Sequence, residues 1–169
     1  MKLFGFILIT LSTTVCGICY ASEKDERLKD LQSFCFMLEL LRGELTYKLV
    51  PLPELAEKLS EELEGKASAF MQILSLNLAS LGEKGFSIIW DESFDLCSLS
   101  FNDNECESIK ELGKVLGRYD LQTQNKCITE TYTILHDSLS TLMGAMPQIK
   151  KLSVGASMSA GALLAILLV

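Results

Sequence analysis

The run ITETYTILHDSLSTLMGAMPQI, Ile128 to Ile149, sets the fold class. Its residues Ile128, Tyr132, Leu135, Leu139, Leu142, Met146 and Ile149 recur at alternating spacings of four and three. That spacing puts them on one side of a helix, and a stripe so long needs a helical neighbour along its length. Pro147 has no N–H and crowds the preceding turn, so a kink or short break is expected before the chain continues.

The chain continues as KKLSVGASMSAGALLAILLV, residues 150 to 169, two lysines followed by eighteen residues without a charge. It opens with an uncharged run of the same length, Leu3 to Tyr20. Eighteen helical residues reach about 27 Å, inside the range of spanning helices. Lysines flanking a span stay on the cytoplasmic side, which assigns Lys150 and Lys151 there. Lys24, Arg27 and Lys29 after the first run outweigh Lys2 before it, so both ends give the same orientation.

The resulting organisation is a membrane hairpin. Terminal transmembrane helices cover 1–21 and 150–169, a cytoplasmic helical domain covers 22–149, and both termini lie near the opposite face. Within the tail, Gly155 with Ser159 and Ser157 with Gly161 place small side chains one turn apart, a packing face for another membrane helix. The rival for the first run is a secretory signal peptide, with Lys2 as its charged start, Leu3 to Leu11 as its apolar core and cleavage in CYAS after Ala21. The protein would then be a secreted or surface-anchored helical binding protein, with Lys150 and Lys151 on the wrong side of the membrane.

Between the runs lie all 22 acidic and 14 of the 15 basic side chains, a formal charge of −8, which excludes an ordinary nucleic-acid surface. The six cysteines are even in number and would permit disulfides outside the cell; in the cytoplasm they stay thiols. CGIC, Cys16 to Cys19, has redox spacing but falls inside an apolar run instead of at a helix start after a strand.

Read outward from the heptad run, the middle is helical throughout. From Ser22 to Lys48, Leu28, Leu31, Cys35, Leu38, Leu41 and Leu45 mark a long amphipathic helix, stopped by VPLP. ELAEKLSEELEG follows, with Leu55, Leu59 and Leu63 on one face and Gly65 as its expected left-handed stop. A third segment, Ala67 to Leu81, is apolar enough to be the most buried, through Phe70, Ile73, Leu74, Asn77, Leu78 and Leu81. GFSIIWDESFDLC, holding the single tryptophan Trp90, suits a short helix or a bent connection. NDNE then starts a helix that turns Ile109, Leu112 and Leu116 inward and stops at Gly117, and Asp120 caps the next. The fold class is all-α: a bundle of five or six amphipathic helices between the two membrane helices.

No catalytic constellation emerges. His136, the single histidine, has no cysteine or carboxylate at a metal-ligand spacing, and no phosphate loop, dinucleotide fingerprint or nucleophile elbow occurs. Pairs such as Glu61 with Glu62 read as solvated surface. No cofactor is expected, and a thiol enzyme would need one cysteine activated by a neighbour the sequence does not reveal.

Two blocks carry a family resemblance. LLRGELTYKLVPLPELA has Glu44, Tyr47, Pro51, Leu52 and Glu54 in a Glu-x-x-Tyr then Pro-Leu-x-Glu pattern. LGKVLGRYDLQTQNKCI has Gly113, Leu116, Gly117, Asp120 and Gln124 in a second. With the apolar ends and the block order, the chain resembles the stage III sporulation protein AB family. It departs at Leu112, where an aromatic is expected, at Ala56, displaced by one position, and at Pro147.

The resemblance implies a helical domain similar to the inner-membrane platform proteins of type II secretion and type IV pilus machines. It implies a non-enzymatic subunit of the assembly joining mother cell and forespore during endospore formation, in the mother-cell membrane around the forespore. The AA protein, similar to secretion ATPases, is the implied cytoplasmic partner. Glu44, Tyr47, Arg118 and Asp120 are then the candidate contact residues; equally, Glu44 and Asp120 serve helix ends and Tyr47 packs.

Overall fold

The structure, a computed structural model, describes residues 2–47, 50–78 and 84–168; within these, the side chains of 2–11, 13–14, 47, 150, 152–158 and 160–168 are not described. Six helices form and, among the described residues, no strand: α1 (Lys2–Tyr47), α2 (Leu52–Glu62), α3 (Gly65–Asn77), α4 (Phe86–Leu96), α5 (Asp103–Val115) and α6 (Leu121–Leu168). The chain divides into two compact units, one of Met1–Leu28 with Ser140–Val169, the other Lys29–Leu139.

Most side chains of the apolar runs lie outside the described residues. Among the described ones no helix is long and apolar enough to cross a membrane. The two transmembrane helices expected from the sequence therefore have no support from the fold. α1 and α6 run without a break through positions 21/22 and 149/150, where the sequence divides apolar ends from the charged middle. α6 also continues through Pro147, so the expected break does not form.

In the Lys29–Leu139 unit, α1 buries Leu31, Cys35, Leu38, Leu41 and Leu45 as expected, and also Phe34 and Met37. The wider stripe follows from neighbours on more than one side. Lys58 on α2 reaches Glu44, Lys66 on α3 reaches Asp30, and Thr46 donates to Asn125 Oδ1 on α6 at 3.1 Å. Tyr132 on α6 also lies near Glu39 on α1, which raises its phenol above the ordinary tyrosine value. Seven residues back from Thr46 on α1 thus faces seven residues on from Asn125 on α6, which makes the two helices antiparallel here. Ser108 and Thr131 join α5 to α6 at 3.2 Å, so the heptad helix has neighbours on two sides.

Helix ends follow local chemistry. Pro51 precedes α2 and Pro53 sits in its first turn, where a missing N–H costs nothing. Asn102 and Glu105 form a capping box at α5, with Glu105 N–H to Asn102 Oδ1 at 2.9 Å and Asn102 N–H to Glu105 Oε2 at 2.8 Å. Gly65 does not stop α2. That helix ends at Glu62 with Leu63 extended and buried, and Gly65, at φ +67°, instead opens α3. Burying Leu63 requires the chain to leave the helix earlier than the glycine would dictate. α3 ends at Asn77, so Leu81 and Gly82 lie outside the described residues. GFSIIWDESFDLC resolves as a helix, burying Ile89, Trp90, Ser93 and Phe94.

The core centres on aromatic rings from three helices and the α4–α5 connection. Phe34 meets Phe70 at 5.8 Å between centroids and Phe101 at 5.0 Å, edge-on in the latter case; Phe70 meets Trp90 edge-on at 4.9 Å. Trp90 donates its indole N–H to the Ile109 carbonyl at 2.9 Å, and its ring lies against Gly113. A Cβ at position 113 would sit 2.2 Å from Trp90 Cδ1.

Gly113→Ala is therefore expected to displace Trp90 and lower stability by about 1–3 kcal/mol. Urea unfolding followed by the fluorescence of the single tryptophan reads both the loss and the changed environment; an unshifted spectrum with unchanged stability would contradict this packing.

Candidate interaction surface

The two motif blocks meet in space. Gly117, at φ +73°, turns the chain out of α5, and a Cβ there would lie 3.0 Å from Leu52 Cδ1 of the first block. Only glycine suits a position that is both left-handed and this close to a packed side chain. Thr46 and Asn125 tie the blocks together on the neighbouring side.

Beyond Gly117 the turn is braced by its own polar groups. Asp120 accepts from the Thr123 N–H at 3.0 Å and from its hydroxyl at 2.8 Å; the hydroxyl first, then the backbone donor, hold its carboxyl below the usual aspartate value. Gln124 is buried and donates to the Tyr119 carbonyl at 2.6 Å. Gly113, Gly117, Asp120 and Gln124 thus shape the turn, while Arg118, Tyr119 and Leu121 stand out from it, Tyr119 at 57 % exposure and Leu121 at 42 %.

The candidate contact residues separate accordingly. Arg118 and Asp120 are exposed at the turn, Asp120 also serving as the cap of α6. Glu44 faces inward, its side chain 11 % exposed, and takes Lys58 Nζ at 2.7 Å, so it joins α1 to α2. The Tyr47 side chain lies outside the described residues. In the tail, Ser159 is exposed; the surroundings of Gly155, Ser157 and Gly161 lie outside the description. Tyr119 and Leu121 were missed in the sequence reading. Their signal was present: bulky residues either side of a capping aspartate, matching no helical stripe.

Among the described residues no group of three or more His, Cys, Asp or Glu side chains could hold a metal ion. His136 is exposed and stacks on Tyr132 at 5.4 Å. An apolar void of about 10 Å³, lined by residues including Leu41, Leu52, Met71 and Trp90, holds at most one water-sized body. The six cysteines are all free thiols. Burial pushes Cys35, Cys97, Cys106 and Cys127 above the ordinary thiol value, Cys35 to about 11, with Glu39 and then Glu105 adding to its shift. None of these four is activated as a nucleophile, which needs the opposite shift.

The shift at Cys35 has a defined sign. The folded state keeps its proton to about 11, against 9.0 for the unperturbed thiol. The stability this contributes is complete below pH 9 and is lost as the pH rises through 11. The melting temperature is expected to fall across this window, with a shallower fall in Cys35→Ala; equal slopes for both proteins would refute the assignment.

Comparison with known proteins agrees with the matched blocks. The family model described as stage III sporulation protein AB matches residues 2–169. The stage III sporulation protein AB of Bacillus subtilis (strain 168) is 27 % identical over 170 residues, covering 99 % of both chains. A solved structure of stage III sporulation protein AB (SpoIIIAB) aligns with a TM-score of 0.65 at 25 % identity, over 72 % of this chain and 97 % of that one. With the helical fold, the paired blocks and a family match along nearly its whole length, the chain belongs to the stage III sporulation protein AB family.

Proposed function

We propose that the protein is a non-enzymatic membrane platform subunit of the sporulation transport complex between mother cell and forespore. Its two apolar ends form a membrane hairpin in the mother-cell membrane around the forespore, and the helical domain faces the mother-cell cytoplasm. There it couples the secretion-type AA ATPase to the other stage III subunits in the membrane. Its action is binding and conformational relay.

The observation that carries the reading is the α5–α6 turn. Both family blocks converge to hold it, yet it spends that rigidity on displaying Arg118, Tyr119 and Leu121 to solvent. Tyr and Arg on a preorganised support are the residue types that dominate protein contacts. Two features favour the membrane hairpin: Met1–Leu28 and Ser140–Val169 belong to one compact unit, and the lysines flank both runs in the same sense.

Intact mass of the protein extracted from membranes separates this reading from a secreted one: residues 1–20 are expected to be present, and a chain beginning after Ala21 would refute the hairpin. For the docking surface, Arg118→Glu combined with Tyr119→Ala is expected to reduce co-purification of the AA ATPase about tenfold or more. Stability should stay within about 0.5 kcal/mol of the parent, because both side chains are exposed. Undiminished co-purification would remove the turn from the interface.

A further inference from the structure

α6 carries Gly144 and Pro147 three residues apart in an otherwise continuous helix. Proline supplies no N–H, so the carbonyl of Met143, four residues earlier, receives no intrahelical donor from position 147, and the ring crowds it. Glycine is the next poorest helix former. Packing does little to compensate. Of residues 140–149 only Met146 is buried, and a Cβ built on Gly144 meets nothing within 4 Å. α1, by contrast, has neither glycine nor proline from Ile18 to Arg42.

We propose that Gly144–Pro147 is a joint built into α6, at which the helix bends without disturbing a packed core, and that the working protein uses this bend. The weak bonding, the open flank at Gly144 and the exposure coincide on one turn. Its use as the step that relays the ATPase's work rests on the platform reading; the existence of the joint does not.

The test is hydrogen exchange of the full-length protein in lipid nanodiscs, joined to spore yield in cells carrying the same variants. Amides of 143–146, 148 and 149 are expected to exchange about tenfold or more faster than those of 129–139, as local opening at a helix defect requires. Pro147→Ala should slow them, and adding Gly144→Ala should slow them further. Spore yield should drop with Pro147→Ala while the protein accumulates normally and still co-purifies with the ATPase.

Uniform exchange in the parent, or unaltered exchange in Pro147→Ala, overturns the joint. Slowed exchange with undiminished spore yield overturns its use. Failure of the parent protein to bind the ATPase counts against the platform reading alone, since the exchange measurement needs no partner.

Discussion

The packing of Trp90 into the space left by the missing side chain of Gly113 is the constraint on which the domain depends. It brings α4 and α5 close enough for the indole N–H to reach the Ile109 carbonyl, satisfying a polar group that burial would otherwise leave costly. Phe70 meets the same ring edge-on, and through Phe70 the contact extends to Phe34 on α1 and Phe94 on α4. A side chain at position 113 would therefore disturb three helices besides its own, because close-packed interiors transmit local strain.

Buried carboxylates add direction to this packing. Asp30 is 3 % exposed and accepts both Lys66 Nζ at 2.9 Å and the Ser100 N–H at 3.1 Å, tying α1 to α3 and to the α4–α5 connection. Glu44 does the same between α1 and α2 through Lys58, and fully buried Glu105 closes the capping box of α5. Such pairs contribute little net stability over apolar packing, but each becomes costly when one partner is lost, so they penalise alternative arrangements of the helices.

The same economy shapes the candidate surface. Of the residues that mark the family blocks, Glu44, Gly113, Gly117 and Gln124 are spent on structure, and the turn they hold presents Arg118, Tyr119 and Leu121. Most of the family signature thus lies beside the candidate surface and supports it. Where such a surface docks, a rigid support lowers the entropy lost.

Much of this was legible in the chain. Stripes at spacings of three and four located the helices and most of their inward faces, and the stop at Gly117 and the cap at Asp120 followed from glycine's access to positive φ and aspartate's short acceptor. The resemblance carried by two short blocks reached the family. What the sequence could not supply was every property set by a distant neighbour. Phe34 and Met37 are buried because α1 is surrounded on several sides, Gly65 opens α3 because Leu63 must be buried first, and Glu44 faces inward because Lys58 stands across from it. Local spacing and backbone preference determine where helices run and end; which of their side chains is core, ion pair or exposed contact is decided only when the helices meet.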